Sequence, residues 1–383
     1  MSKWLGWLLL AVSLQASTQG LFRGFVPDDN GTNLDATAST LAAPAAPSFV
    51  GTTITIASWG GAYTSSQIEA YHKPYTAKTG IKINSVEWDG SLGGIRSQVK
   101  SGDIKWDVID VEGNEADVGC QEGLLERIDP DVLPPGADGR PAAKDFLPGT
   151  VLPCAIGTII YSNVIAYDKG TVGSHGPKTL DDFFDLNKFP GKRALKKDPS
   201  VALEWALMAD GVNPSDVYKA LGTSAGVDRA LNKLNSIKGS IVWWTAGAQP
   251  PQLLASGQVV MAHSWHGRIV DSNARAKTNF DIIWDGQVQN VDYFAILKGG
   301  KNTAASLEFV RFATSTQPLS DQSKYIPYSP VRVSSLYAIP DSNPNKAWLP
   351  TFPRLGRSLV SNTKFWIENG NAINKRFELW LRQ

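Results

Sequence analysis

The chain has 383 residues, more than one typical hydrophobic core holds, which predicts two folded domains. Hydrophobic residues make up 42% and charged residues 19%, an ordinary balance for a globular protein. The net charge of +1 and the lack of a basic run of five or more residues argue against a nucleic-acid partner. Thirteen tryptophans are many, and this excess fits either stacking on a ligand or core packing.

Residues 1–20 have the features of a signal peptide or membrane anchor. Lys3 precedes an apolar run from Leu5 to Leu14, which is too short to span a bilayer and is typical of a signal peptide. Leu14 stands where a small residue usually precedes the cleavage site, so an uncleaved anchor is the alternative. Residues 21–50 are rich in Ala, Pro and Thr and are predicted to be a disordered tether. We therefore expect an exported, periplasmic protein.

The folded part is predicted to begin at Gly51 with alternating strands and helices. The β-branched run 52–58 predicts a strand, and a helix over 67–79, capped by Ser65 and Ser66, follows its exit loop. Further strands are predicted at 81–88 and 106–111, with a helix at 92–100 between them. Strands separated by helices predict a doubly wound, parallel α/β sheet.

A second α/β pattern begins near Cys154 and contains the aromatic stretch 243–268. There a short helix at 252–256 and a strand at 258–263 are predicted to deliver Trp265, His266 and Arg268 to a loop. Ligands in such sheets bind beyond the carboxyl ends of strands, so these residues, with Trp243 and Trp244, predict a wall for a small molecule. Core packing of these tryptophans is the alternative. Strands at 280–284 and 291–297 and helices at 304–313 and 365–381 complete the prediction.

The remaining chemistry-bearing residues do not predict catalysis. A disulfide between Cys120 and Cys154 fits an oxidising compartment, with two buried thiols as the alternative. His263 and His266 are three residues apart, which puts them on opposite faces of a strand and argues against a metal pair. The sequence has no G-x-S-x-G motif and no clear acid–base pair, so neither an enzyme nor a cofactor is predicted.

Short motifs occur in a distinctive order along residues 51–383, among them 57–63, 106–110, 264–267, 292–296 and 325–330. In this order they resemble extracellular solute-binding proteins of ABC importers, in the spermidine/putrescine-binding group. The resemblance implies a two-lobed α/β fold, the periplasmic-binding-protein type II fold, in which crossing hinge strands join doubly wound sheets. It implies a lobe 1 of residues 51–155 with 290–335, a lobe 2 of residues 156–289, and a C-terminal helical segment, 336–383, packing across both.

The resemblance also implies function and partners. The protein would be the substrate-binding component of an ABC importer, a monomer that captures a small cationic or zwitterionic solute of polyamine type. It would deliver this solute to an ABC permease in the membrane. The same fold in a receptor for an amino acid, a betaine or ferric iron, or in a partner of a sensor, is the alternative.

Candidate ligand-binding residues follow from the same resemblance. Trp59 and Tyr63 resemble pocket aromatics after the first strand, Trp265 a tryptophan that stacks on the ligand, and Asp292 an acid that pairs with an amine. Glu112 falls near a polar position after the third strand. The predicted set is completed by Gly61, Trp244, Arg268, Tyr293 and Tyr328.

Arg268 separates two classes of ligand. Burying an unpaired charge costs several kcal/mol, so a diamine needs a carboxylate or an aromatic face at each ammonium. Arg268 would repel an ammonium unless it faces Glu112, Asp271 or Asp285. A zwitterion with its amine on Asp292 and its carboxylate on Arg268 fits the charges better, while a structural salt bridge outside the cleft is the alternative for Arg268.

Overall fold

The structure is a computed structural model that describes Phe49, residues 51–351 and residues 356–383. The predicted signal peptide or anchor and, apart from Phe49, the predicted tether lie outside the described residues. Within these ranges, no helix combines the length and the apolar character needed to cross a membrane.

The strands of the described ranges fall into one hydrogen-bonded sheet. They are β1 (Thr53–Ser58), β2 (Lys82–Glu87), β3 (Val108–Glu112), β4 (Val151–Leu152), β5 (Ala155–Asp168), β6 (Arg193–Lys196), β7 (Ile241–Trp244), β8 (Met261–Trp265), β9 (Phe280–Ile296), β10 (Ser329–Pro330) and β11 (Ser358–Val360).

Helices separate most of these strands. They are α1 (Gly61–Gln67), α2 (Lys73–Thr79), α3 (Leu92–Ser101), α4 (Gly113–Gln121), α5 (Ala142–Asp145), α6 (Lys169–Val172), α7 (Leu180–Phe184), α8 (Pro199–Ala209), α9 (Val217–Leu221), α10 (Ser224–Asn235), α11 (Gln249–Ala255), α12 (His266–Arg275), α13 (Thr303–Ala313), α14 (Thr316–Gln322), α15 (Val333–Tyr337) and α16 (Thr363–Leu381). A π-helical segment, Ile68–His72, joins α1 to α2.

The sheet is mixed rather than parallel throughout. Its main strand order is β2-β1-β3-β9-β5-β8-β6-β7. The outer pairs β1–β2, β1–β3, β6–β7 and β6–β8 are parallel, as the alternation of strands and helices predicts. The central strands β5 and β9 run antiparallel to each other and to their other main neighbours, β8 and β3. The α/β class is therefore confirmed, while the parallel arrangement holds only towards the two edges.

Two long strands connect the outer parts of the sheet. Residues 155–163 of β5 pair with residues 288–295 of β9, and after a register shift residues 165–168 pair with 280–283. The C-terminal end of β9 also pairs with β3. The C-terminal part of β5, at the opposite end of this strand pair, also pairs with β8. The sequence predicts two separate strands where β9 is continuous. This arrangement agrees with crossing hinge strands, but the lobe boundaries themselves stay a prediction.

The core has several apolar clusters that follow this division of the sheet. One surrounds Phe294 and Phe309 beside β1 and β3, and another surrounds Trp205 and Phe183 beside β6. A third cluster contains most of the aromatic side chains described below and packs against β5 and β8. Packing against the long central strands therefore brings together aromatic residues that lie far apart in the sequence.

Two local predictions are wrong. The first helix begins at Gly61, not at 67, because the Gly60 N–H donates to Thr64 Oγ1 (2.9 Å), while Ser66 lies inside the helix. Arg268 lies in the first turn of α12, not in a loop, because the chain turns helical directly after Trp265. As a result, Gly61 lies at the start of α1, which follows β1, and Arg268 lies in the first turn of α12, which follows β8.

Cys120 and Cys154 form a disulfide, with Cα atoms 5.7 Å apart. Cys120 lies near the end of α4, and Cys154 immediately precedes β5. The bond therefore ties the helix that follows β3 to the start of a central strand.

Candidate functional site

A small cavity lies where three strands end. Trp59 directly follows β1, Glu112 ends β3 and Trp265 ends β8. This position agrees with the tendency of α/β sheets to bind ligands beyond the carboxyl ends of their strands. The lining residues are Trp59, Tyr63, Glu112, Tyr161, Trp265, Arg268, Asp292 and Tyr328.

Five aromatic side chains form the wall of this cavity. Ring centroids are 6.2 Å apart for Trp59 and Trp265, 6.0 Å for Trp265 and Tyr161, 5.9 Å for Tyr161 and Tyr328, and 5.6 Å for Tyr328 and Tyr63. Each aromatic face attracts a cation by roughly 0.5–1 kcal/mol at an exposed site and by about 2 kcal/mol when water is excluded. The wall therefore suits an ammonium group attached to a small apolar body.

A buried acid, Asp110, fixes two of these aromatics. Trp59 Nε1 donates to Asp110 Oδ1 (3.1 Å), Tyr63 Oη donates to Oδ2 (2.9 Å), and Gln67 Nε2 donates to the same oxygen. Burial raises the pKa of Asp110 to about 7, although these three hydrogen bonds lower it. Asp110 acts through Trp59 and Tyr63, whose orientation it sets.

Asp292 brings a second carboxyl group to the cavity. It lies on β9, is 5% exposed, and its Oδ1 atom has no hydrogen-bond partner in the described structure. Burial raises the pKa of Asp292 well above its ordinary range, and the nearby carboxylates of Asp110 and Glu112 raise it further. Asp292 therefore favours either a proton or a cationic partner.

Arg268 supplies a cation to the same cavity. Its side chain is 5% exposed, Nη2 donates to the Trp59 carbonyl oxygen (3.2 Å), and the guanidinium lies 5.6 Å from the Trp265 ring centroid. The Nε atom has no hydrogen-bond partner among the described residues. Arg268 thus lies inside the site with one donor still available.

Two of the acids considered as partners of Arg268 are engaged elsewhere. Asp271 pairs with Arg275 (2.6 Å), and Asp285 pairs with Arg357 (2.7 Å). The third, Glu112, accepts a hydrogen bond from Tyr161 Oη (2.7 Å). The structure therefore does not place Arg268 in a salt bridge outside the cleft.

The glycine pair after β1 makes room for two charged side chains. A Cβ atom on Gly61, where φ is +53°, would lie 2.6 Å from Arg268 Nη1. A Cβ atom on Gly60, where φ is +72°, would lie 2.5 Å from the Glu87 carboxyl carbon. Both conformations and both approaches favour glycine. Gly61 therefore acts by allowing Arg268 close to the loop that carries Trp59.

A larger cleft shares Trp59, Glu112, Trp265 and Arg268 with the small cavity. Its lining includes the predicted residues Gly61 and Trp244 and two residues that the sequence did not single out, Glu115 and Lys196. Trp244 is fully buried and packs against Trp265 with ring centroids 5.7 Å apart, so it supports the wall from behind. Its neighbour Trp243 instead packs on α16, against Phe377 and Trp380.

Tyr293 is the predicted residue that lines neither the cavity nor the larger cleft. Neighbouring residues on a strand point to opposite faces, so Tyr293 faces away from the side that carries Asp292. Its hydroxyl group donates to the Gly149 carbonyl oxygen (2.9 Å). This placement favours a structural role for Tyr293.

The histidines His263 and His266 are both buried and hydrogen-bonded. His263 Nε2 lies 2.9 Å from Asn163 Oδ1, and the ring packs between Trp205 and Trp244. His266 Nε2 lies 2.7 Å from the Pro327 carbonyl oxygen. Across the described ranges, no group of three or more His, Cys, Asp or Glu side chains is arranged to hold a metal ion.

Of the residues that the sequence did not single out, Asp110 had a readable sequence signal. Asp110 stands inside the apolar strand 108–111, and an acid there needs buried hydrogen-bond partners. Tyr161 stands in the apolar run 155–162, and its role depends on its pairing with distant chain segments. No local pattern marks Lys196 as a cleft residue.

Comparison with known proteins identifies the family. Residues 70–348 match the family model of bacterial extracellular solute-binding proteins. The chain is also 38% identical over 328 residues to a gamma-aminobutyric acid-binding protein of Pseudomonas aeruginosa (strain PAO1), covering 85% of this chain and 90% of that protein. The chain belongs to the bacterial extracellular solute-binding protein family. It is an ABC-type solute-binding protein, a class that binds small molecules and delivers them to a membrane permease.

Solved structures support the two-lobed fold of this family. The periplasmic binding protein MotA of Agrobacterium tumefaciens B6, in complex with glucopine, superposes with a TM-score of 0.79 at 28% identity, covering 86% of this chain and 99% of that chain. The Atu4243-GABA receptor gives a TM-score of 0.72 at 30% identity, covering 86% of this chain and 97% of that chain. The predicted fold class is confirmed. The narrower spermidine/putrescine assignment is not supported by these relatives.

Proposed function

We propose that the protein binds a small zwitterion of the γ-aminobutyrate class, with an ammonium and a carboxylate at separate ends. One observation carries this proposal: Asp292 and Arg268 line one cavity, each is 5% exposed, and each has a side-chain atom without a hydrogen-bond partner. Unpaired buried polar atoms cost stability, so a ligand that pairs with both gains binding free energy.

In the proposed complex, the ammonium lies at Asp292 inside the aromatic wall and the carboxylate accepts from Arg268. The methylene chain between the two ends packs against Trp265 and the tyrosines. A diamine would bring its second ammonium towards Arg268, and the like charges would repel. The charge pattern therefore supports a zwitterion rather than the polyamine that the sequence motifs favoured.

The relatives support the same ligand class. The Pseudomonas aeruginosa relative is a gamma-aminobutyric acid-binding protein, and the Atu4243 receptor is a GABA receptor. MotA was solved with glucopine, which extends the range of solutes found in this fold. We use γ-aminobutyrate as the reference ligand for these reasons.

We further propose closure of two lobes in the periplasm as the transport mechanism. Lobe 1 carries Trp59, Tyr63 and Asp292, and lobe 2 carries Trp265 and Arg268. The hydrogen bond from Arg268 to the Trp59 carbonyl group spans these proposed lobes. Ligand contacts on both sides favour the closed form, which a monomeric receptor then presents to its permease.

Calorimetric titration of the purified protein with four compounds tests the ligand class. The compounds are γ-aminobutyrate, n-butylamine, butyrate and putrescine, so each charged end is removed or replaced in turn. We expect one γ-aminobutyrate per chain and an affinity for each single-ended compound lower by about a hundredfold or more, since each leaves one buried charge unpaired. Tighter binding of putrescine than of γ-aminobutyrate would reject the zwitterion and restore the polyamine prediction.

A further inference from the structure

The ring of Trp265 has two cations near it. The Arg268 guanidinium lies 5.6 Å from the ring centroid, and the Lys196 ammonium lies 5.9 Å from it. Lys196 ends β6, whereas Arg268 lies in the first turn of α12. The wall that faces the cleft therefore carries a second positive charge besides the proposed carboxylate partner.

Lys196 is surrounded by acids from two parts of the sheet. Its Nζ atom is 3.7 Å from Asp198 Oδ2, and it lines the larger cleft together with Glu112 and Glu115. Burial lowers the pKa of Lys196, but the carboxylates of Glu112, Asp198, Glu115 and Asp292 raise it more. The side chain is 23% exposed, so its charge is only partly screened by solvent.

The pKa of Glu115, on the acidic side of the cleft, depends on the positive charge of Lys196. Its Oε2 atom is buried without a hydrogen-bond partner in the described structure. Burial raises the pKa of Glu115 to about 7, the charge of Glu112 adds to this rise, and Lys196 opposes it. Lys196 thus partly neutralises a group of carboxylates that would otherwise attract a second ammonium.

We propose that Lys196 is a specificity-determining residue, whose ammonium occupies the acidic side of the cleft beside Trp265, Glu112 and Glu115 and thereby excludes diamines. This inference rests on the proposed function, because it explains why a site lined by several carboxylates selects a zwitterion. Lys196 acts as an internal counter-ion, and Arg268 remains the partner of the ligand carboxylate. A chain without the Lys196 charge would repel a dication less, although Arg268 would still disfavour its second ammonium.

The test compares Lys196→Met, Lys196→Arg and Lys197→Met with the wild-type protein. Lys197 is an exposed neighbour that lines the same cleft, so Lys197→Met removes an equal charge and serves as the matched control. Each protein is titrated with γ-aminobutyrate and with putrescine, and thermal unfolding confirms that each is folded. We expect Lys196→Met to bind putrescine about tenfold more tightly or better, because a partly buried like charge has been removed. Lys196→Arg and Lys197→Met should keep the wild-type preference.

The outcomes separate this inference from the proposed function. If Lys196→Met loses γ-aminobutyrate affinity without gaining putrescine affinity, Lys196 is a ligand contact and the inference is rejected. An equal gain in Lys197→Met would show a general charge effect and also reject it. If wild type fails to bind γ-aminobutyrate, the proposed function fails, while a putrescine gain confined to Lys196→Met would still support the counter-ion role.

Discussion

Within the described residues, the buried pair of Asp145 and Arg332 can be compared with Asp292 and Arg268, which line one cavity, and the two sites differ at the carboxylate. Asp145 accepts from the Ser334 backbone N–H (2.7 Å) and from the Ser334 hydroxyl group (2.6 Å), and it lies 3.5 Å from Arg332 Nη1. In the cavity, Asp292 leaves Oδ1 without a partner, and no salt bridge joins it to Arg268 within the described structure.

This difference separates a pair that holds the fold from a pair that is suited to a ligand. Arg332 also donates to the Pro134 carbonyl oxygen (2.6 Å) and stacks on Phe146 with 4.3 Å to the ring centroid. Its pair with Asp145 is therefore surrounded by protein on all sides. Asp292 and Arg268 instead face one cavity, where a zwitterion can pair with each of them.

The largest expected effect is on stability, from breaking the closed pair. Arg332→Met leaves the Asp145 carboxylate buried without its cation, and removing one partner of such a pair costs about 3–5 kcal/mol. Urea unfolding should show this loss, while the folded protein should keep its affinity for γ-aminobutyrate. Arg268→Met is the matched variant and should show the reverse pattern. Equal effects of both variants on both quantities would remove the distinction.

Glu204 can be compared with Asp292, because it is a buried carboxyl group that lies outside the cavity. Its Oε1 atom accepts from Trp366 Nε1 (2.9 Å) and Tyr218 Oη (3.3 Å), whereas Oε2 has no partner. Burial raises the pKa of Glu204 to about 7, so the folded protein binds a proton more tightly than the unfolded chain does. The resulting stability is present at low pH and is lost as the pH rises from the ordinary glutamate range through 7.

Glu204→Gln should reduce this pH dependence. We expect the wild-type free energy of unfolding to include a contribution from Glu204 that falls by about 1–3 kcal/mol between pH 4.5 and pH 7.5, and the variant to lack it. Urea unfolding at several pH values measures the difference. If the free energies of unfolding of the two proteins changed in parallel with pH, Glu204 would be charged in the folded state over this range. A carboxyl oxygen without a hydrogen-bond partner would then not indicate a raised pKa.

A smaller effect is expected from the packing of Trp265. A Cβ atom on Gly247 would lie 2.2 Å from the Trp265 ring, so Gly247→Ala must displace this wall of the cavity. We expect about a tenfold loss of γ-aminobutyrate affinity, equivalent to about 1.4 kcal/mol. Gly239→Ala is the control, since a Cβ atom there meets nothing within 4 Å. Unchanged affinity in Gly247→Ala would place the ligand away from Trp265.

The candidate residues that follow local patterns could be named from the sequence. Trp59 and Trp265 come directly after or at the end of apolar strands, so their place at one edge of the sheet could be inferred. Asp292 was recognisable from a motif. Tyr293, in the same motif, was misplaced because a one-residue shift along a strand reverses the side-chain direction.

The remaining residues depend on long-range pairing that local patterns do not encode. Tyr161 reaches the cavity through the pairing of β5 with β9, and Lys196 reaches the larger cleft through the pairing of β6 with β8. Arg268 was assigned to a loop because no capping residue marks the start of α12, where Trp265 stands at the N-cap. The sheet centre was predicted as parallel since its two long antiparallel strands carry the same apolar signal as parallel ones.

Titration of Asp292→Asn with γ-aminobutyrate, with urea unfolding of the same variant, tests the central claim most directly. The zwitterion site predicts an affinity lower by about a hundredfold or more, because the ligand ammonium loses its buried carboxylate. It also predicts an unchanged or higher free energy of unfolding, since the amide removes a carboxyl group that is costly to ionise in the unliganded protein. Affinity close to wild type, or a stability loss like that of Arg332→Met, would contradict the account.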